Sequence, residues 1–166
     1  MANFEHAPIE RHQALAPLSR DHYVGLVQAQ HLKKAAEADD VTRRQAIAAF
    51  VDAWDTQIAE HFADEQRLLA DLATADDRER LLGEHRQIWE LAERARELRH
   101  QIDPSVEVVR TIGETLEQHI RWEERELFVR LQDQLTEAQL VELGRQTASI
   151  EQARPRNACQ RGGATK

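Results

Sequence analysis

Three short breaks do most to limit what this chain can fold into: Asp39-Asp40, the ATADD run at 73–77, and Asp103-Pro104-Ser105. Between them lie long segments whose apolar side chains recur every three or four positions, the period of a helix with one buried face. The first runs from about Pro17 to Ala38 and sets Leu18, His22, Leu26, Ala29 and Lys33 along one face. The second opens near Val41 or Thr42 and carries Ile47, Phe50, Val51, Trp54, Ile58, His61, Glu65, Leu68 and Leu72. The third continues from the 73–77 break to about His100. The fourth runs from Pro104-Ser105 to about Gln134, proline being well tolerated in a helix's first turn. Thr136 opens a shorter fifth helix to about Ala153, with a thin stripe of Leu140, Leu143 and Ile150. Only 6 Gly, 4 Pro and 5% aromatics occur, a composition of helices rather than sheets. Long helices joined by short connections are antiparallel neighbours. The expected fold is therefore all-α, an up-down-up-down antiparallel four-helix bundle with a short additional C-terminal helix.

This assigns residues 1–16 to an irregular lead-in, 17–153 to one bundle domain with its flanking helix, and 154–166 to a disordered basic tail. A net charge of −8 gives no positive field for phosphates, so no nucleic-acid partner is expected. No run of eighteen apolar residues occurs, and the opening MANFEHAPIERHQ has no basic start followed by an apolar run, so neither membrane insertion nor secretion is expected. The single cysteine, Cys159, can form neither a disulfide nor a thiolate cluster within the chain, and a reducing, cytoplasmic location follows as the expectation. Monomer and homodimer are both compatible with the pattern.

The core stripes carry residues that a plain bundle would not choose: His22 on the first helix, His61 with Glu65 on the second, His85 on the third, and His119 with Glu123 on the fourth. A spacing of four puts each His and Glu about 40° apart on one face and about 6 Å apart along the axis. Glu124 would stand about 140° from His119, so Glu123 is the chosen carboxylate and Glu124 the fallback. The levels agree as well. Counted from the turn near residue 40, His22 lies about eighteen residues before and His61 about twenty-one after, at about 1.5 Å per residue. From the turns near 74 and 103 the remaining residues match to within about one helical turn. Four imidazoles and two carboxylates buried at one level are costly without partners, and a metal removes that cost. Imidazole and carboxylate without thiolate suit iron, manganese or zinc. Glu65 and Glu123 as bridges, with two His on each ion, make a symmetric dinuclear arrangement.

The same set, with LSRDH, HFADEQRLL, GEH and HIRWEERELF in order across residues 17–132, resembles the hemerythrin-like (HHE cation-binding) family. The resemblance implies a non-heme centre of two iron ions, carboxylate bridged and often oxo or hydroxo bridged, that binds O₂, NO or peroxide. The family's oxygen carriers place a further His four residues after the third-helix His, where this chain has Trp89, and their fourth-helix carboxylate corresponds to Glu124. The four-His, two-Glu set is closer to the iron-sulfur-repair branch, whose usual N-terminal Cys-containing region has no counterpart here. Three functions are compatible: a small-molecule binder for sensing, scavenging or iron handling; a redox enzyme that reduces NO or peroxide or repairs clusters; and a structural or storage bundle. No electron donor is indicated. Outside the set, His31 is expected in solvent, His100 lies too far along the axis, and His6 and His12 read as surface residues. Trp89 reads as core filler beside the metal or as a wall that restricts access. Tyr23 and Trp122 point away from the ligand face, and Glu126 returns to it one turn beyond Glu123.

Overall fold

The computed structural model describes residues 10–154; the first nine residues with His6, and the tail from 155 with Cys159, lie outside the described residues. The described chain is an all-helical bundle. Helix α1 spans Ala16–Ala36, with Pro17 in its first turn. Asp39 caps α2 (Asp40–Ala53) by accepting from the Thr42 amide at 2.7 Å. A π turn at Trp54–Ile58 joins α2 to α3 (Ala59–Leu69) without interrupting the rod. Thr74 caps α4 (Ala75–Leu98), and Ser105, just after Pro104, caps α5 (Val106–Trp122). A second π turn, Glu123–Leu127, leads into α6 (Phe128–Gln134). Thr136 and Gln139 then form a reciprocal capping box that starts α7 (Glu137–Ala153). The breaks read from the sequence thus fall at the observed turns. The π turns have no counterpart in that reading, because a π turn carries no compositional mark; such turns concentrate at functional sites.

Facing residues give the directions of two pairs of rods. Along α1, His22 faces Phe128, Gly25 faces Ile120 and Ala29 faces Gly113, so α1 and the α5–α6 rod run oppositely. Along α4, Arg99 meets Asp52, Trp89 meets Trp54 and His85 meets Gln66, so α4 opposes the α2–α3 rod in the same way.

The interior divides into three tiers. A far tier joins Leu32, Ile47, Phe50, Leu98, Val109 and Ile112. A near tier joins Leu15, Leu18, Leu69, Leu81, Phe128 and Leu131, and α7 adds Leu140 and Leu143 to it. Between these two apolar layers lie buried His and Glu side chains from all four rods. Helix α7 flanks the near tier, where Thr147 donates to the main-chain oxygen of Ala14 at 2.9 Å. No helix among the described residues is long and apolar enough to cross a membrane.

Candidate metal centre

The middle tier contains all six residues singled out by spacing: His22, His61, Glu65, His85, His119 and Glu123, none more than 5% exposed. Each rod delivers its share from one face. His61 and Glu65 lie one turn apart on α3. His119 ends α5, and Glu123 opens the π turn that follows it.

The carboxylate oxygens sort the imidazoles into two pairs. Glu65 Oε1 lies 3.1 Å from Nε2 of both His22 and His61, while Glu65 Oε2 faces His85 Nε2 at 3.5 Å. Glu123 Oε2 lies 3.1 Å from His22 Nε2, and its Oε1 faces His85 at 3.6 Å and His119 at 3.3 Å. Each carboxylate therefore offers one oxygen to each half of the cluster. Glu65, His85, His119 and Glu123 bring ligand atoms within 4.8 Å of one another, as do His22, His61 and Glu65.

These contacts are close without being satisfied. His22 Nε2 bonds Glu65 Oε1, but Nε2 of His61, His85 and His119, Oε2 of Glu65 and both oxygens of Glu123 have no hydrogen-bond partner. Buried polar atoms are nearly always paired, and each orphan costs roughly 1–3 kcal/mol. The six orphans belong to the two groups whose ligand atoms lie within 4.8 Å of one another, and such a cluster could hold a metal cation. The donor set, imidazole and carboxylate without thiolate, fits iron, manganese or zinc.

Electrostatics lead to the same fit. Burial pushes Glu65 up, but the charge of His61 and contacts with His22 and His85 hold it well below the usual carboxylate range. For Glu123, burial and the nearby Glu65 act upward, and His119 with His22 outweigh both. Burial lowers His119, yet Glu123 and Glu84 raise it to about 9. His22, likewise opposed by burial, is raised by Glu123, Glu124 and Glu65. The two dry carboxylates are thus drawn toward the ionised form and His22 and His119 toward the protonated one. A metal ion would displace those protons.

Outside the cluster, the other ring nitrogen of each His faces a group on the neighbouring rod. His22 Nδ1 donates to Glu124 Oε1 at 2.6 Å, and His119 Nδ1 to Glu84 Oε2 at 2.8 Å. Once a cation displaces the inner proton, these bonds hold the tautomer whose Nε2 lone pair points inward. His85 Nδ1 meets the amide of Gln66 at 3.1 Å, an amide that presents the same tautomer when turned to accept through its oxygen. His61 Nδ1 lies 3.7 Å from Asp21 Oδ2, beyond hydrogen-bond reach. The four partners form a ring of one sense, because each sits next in sequence to a cluster residue of its own rod and serves the rod beside it. One residue's step is about 100° around a helix, which turns an inward neighbour toward the adjacent corner of the bundle. Two aromatic plates complete the wall: Phe128 stacks on His22 at 5.5 Å and Phe62 on His85 at 4.1 Å.

Asp21, Gln66 and Glu84 were not singled out by the sequence reading, although their adjacency to the HxxxE and lone-His positions was a usable signal. Glu124, the fallback for the cluster, lies outside it behind His22. Trp89 requires a correction. It is 48% exposed rather than core filler, and its ring packs edge-on against Trp54. Trp54 belongs to the far tier, and the indole of Trp89 covers it from the surface. There it walls a surface cleft of about 520 Å³ that also borders Phe62, Gln66 and His85. Trp122 is buried in the near tier with Arg80 4.3 Å over its ring, and Tyr23 is 66% exposed. Glu126 pairs with Arg130 on the surface, His31 and His100 are exposed, and His12 accepts from the Ala14 amide away from the cluster.

A family model of the hemerythrin HHE cation-binding domain matches residues 10–131. The chain belongs to this family. Comparisons with curated proteins and with solved structures returned no match. The matched span holds the whole cluster and its outer ring, and leaves α7 beyond it. A hemerythrin domain binds metal cations, and the buried His and Glu groups of this one could hold them.

Proposed function

We propose that this hemerythrin-domain protein is a cytoplasmic, non-heme di-iron protein that binds a small molecule, O₂, NO or peroxide, for sensing, scavenging or iron handling. The observation that carries the reading is the partition of oxygens: Glu65 and Glu123 each turn one oxygen to the His22–His61 pair and the other to the His85–His119 pair. That is the disposition two bridging carboxylates need, and it favours two ions over one. The up-down-up-down order of the rods, supported by the two opposed pairs and by the short links at 37–39, 70–74 and 99–105, brings the ligands to one level. When bound, iron would supply a redox-active cation with positions left for a small exogenous ligand.

The chain's own residues do the rest. His22 and His61 would hold one ion and His85 and His119 the other. Glu124 and Glu84 orient two of the rings by accepting from Nδ1, which leaves the opposite nitrogen free to coordinate. Phe62 and Phe128 exclude water from the ring faces, and the apolar tiers on either side keep the local dielectric low. A second reading, in which the ion only stabilises the bundle, is favoured by how dry the cluster is.

Anaerobic iron loading followed by metal analysis and optical spectroscopy tests the proposal. About two irons per chain are expected, and Glu65→Ala or Glu123→Ala should lose one or both, since a bridging ligand serves both ions. Full metal content in both variants would remove the bridging assignment. Stopped-flow mixing of the reduced protein with O₂, NO or peroxide separates the readings, because a purely structural ion would give no adduct.

A further inference from the structure

The two halves of the cluster are braced from different parts of the chain. Behind His22 stands Glu124, which accepts from Ser19 Oγ of α1 at 2.6 Å and is gripped from outside the rods by Arg11: Nη2 donates to Oε2 at 2.7 Å and to the Glu124 main-chain oxygen at 2.5 Å. The same guanidinium lies 5.1 Å over the ring of Phe128, the plate stacked on His22. Behind His61 stands Asp21, and Asp21 is gripped by Arg154, which also pairs with Asp64. Arg11 precedes α1 and Arg154 follows α7, so both cations come from outside the four rods. The other half is braced from within. Glu84, bonded to His119, is held at 2.7 Å by Arg80 one turn earlier on the same helix, and His85 faces Gln66, a neutral amide that needs no counter-ion.

A carboxylate that orients a ligand imidazole works only while its own rotamer is fixed. The Arg11 and Arg154 side chains are 10% and 20% exposed, so each is packed rather than free in solvent. Arginine's planar fork suits this, because it can fix a carboxylate and a second acceptor together. Removing the fork loosens Glu124, and with it the hydrogen bond that orients His22; at the other site it frees Asp21 to turn to water, and His61 loses the anion that faces its Nδ1 at 3.7 Å.

We infer that Arg11 and Arg154 are positioning residues for the His22–His61 half alone, so that docking of the segments just before α1 and just after α7 sets how tightly that half holds its ion. This rests on the two-ion reading above. Loss of an outer partner of a ligand His typically costs about 10–100-fold in metal affinity. Stepwise anaerobic titration of the full chain with Co²⁺, followed by visible absorption of the bound ion and by calorimetry, provides the test. The unaltered chain should take up two ions in two steps. Arg11→Gln and Arg154→Gln should each weaken one step, the step that His22→Ala abolishes, by up to about 10-fold, the low end of that range because Glu124 and Asp21 themselves remain, with the other step nearly unchanged. Arg80→Gln should weaken the other step instead. Arg11→Lys, which keeps the charge but loses the fork, should fall between; with Glu124→Gln it carries the test if Arg11→Gln does not fold. Equal weakening of both steps, or none in either arginine variant, overturns the inference while the two-ion reading stands. Failure of the unaltered chain to bind two ions overturns the reading, and the inference with it.

Discussion

The far tier around Phe50, Leu98 and Ile112 and the middle tier around Glu65 and Glu123 are equally dry, with Phe50, Glu65 and Glu123 all at 0% exposure. They are built on opposite physical terms. Every side chain packed into the far tier lowers the free energy of folding, by about 1.5–3 kcal/mol for a large apolar residue. The ionisable groups of the middle tier raise it unless something neutralises them. The bundle is held by its apolar ends, and its waist is arranged for binding. Phe50→Ala is the strongest way to break that division. It should destabilise the fold by about 3–5 kcal/mol in chemical unfolding while cation content per folded chain stays constant. A parallel fall in metal content would mean that the tiers are one cooperative unit in binding as well as in folding.

The seam between α1 and α5 sharpens the comparison at smaller cost. A Cβ on Gly113, in the far tier, would stand 2.8 Å from the main-chain oxygen of Ala29, an atom that moves only with its helix. A Cβ on Gly25, one turn beyond His22, would meet Ile120 Cδ1 at 2.6 Å, the end of a side chain that can rotate. Alanine gains about 1 kcal/mol of helix propensity over glycine at both positions. At Gly113 the forced separation of the helices should exceed that gain, for a net loss of about 1–3 kcal/mol, whereas Gly25→Ala should lie within about 1 kcal/mol of the parent. Equal unfolding midpoints for the two variants would show that the seam is looser than these contacts.

How far this architecture could be read in the sequence depends on whether an interaction stays on one helix. Asp39, Thr74, Ser105 and Thr136 cap the helices that follow them, so the breaks were legible as local chemistry. The pairs His61–Glu65 and His119–Glu123 share a face by helix geometry, and counting from the turns brought His22 and His85 to their level. The π turns were not legible, nor was the ring of Asp21, Gln66, Glu84 and Glu124, since each of these acts on another rod. Trp89 shows the same limit: its spacing from His85 points inward, but the ring packs edge-on against Trp54 of another rod and stays half exposed. Arg11 and Arg154, in a lead-in and a tail by composition, reach the site only through the packing of the segments just before α1 and just after α7.

The smallest expected effect lies at the near end, where polarity can be changed without touching the waist. Asp77, in the first turn of α4, accepts from Arg130 Nε at 2.8 Å and from Nη2 at 2.6 Å, which ties α4 to α6. The Arg130 bond, against a smaller opposing effect of burial, holds the Asp77 carboxyl below its ordinary range. A carboxylate depressed in the folded state adds stability above its unfolded pKa of about 3.9 and loses it as pH falls through the lower folded value. Asp77→Asn keeps the main-chain amide that Thr74 caps and removes only the charge. At neutral pH it should cost about 0.5–1 kcal/mol, since Arg130 is 40% exposed and the pair is screened. The cost should persist down to about pH 5 and shrink as Asp77 itself becomes protonated, below about 3.9. Urea unfolding of both chains across this range is the measurement. A difference that grew toward acid pH would reverse the sign and show that Asp77 is strained rather than supported by its arginine.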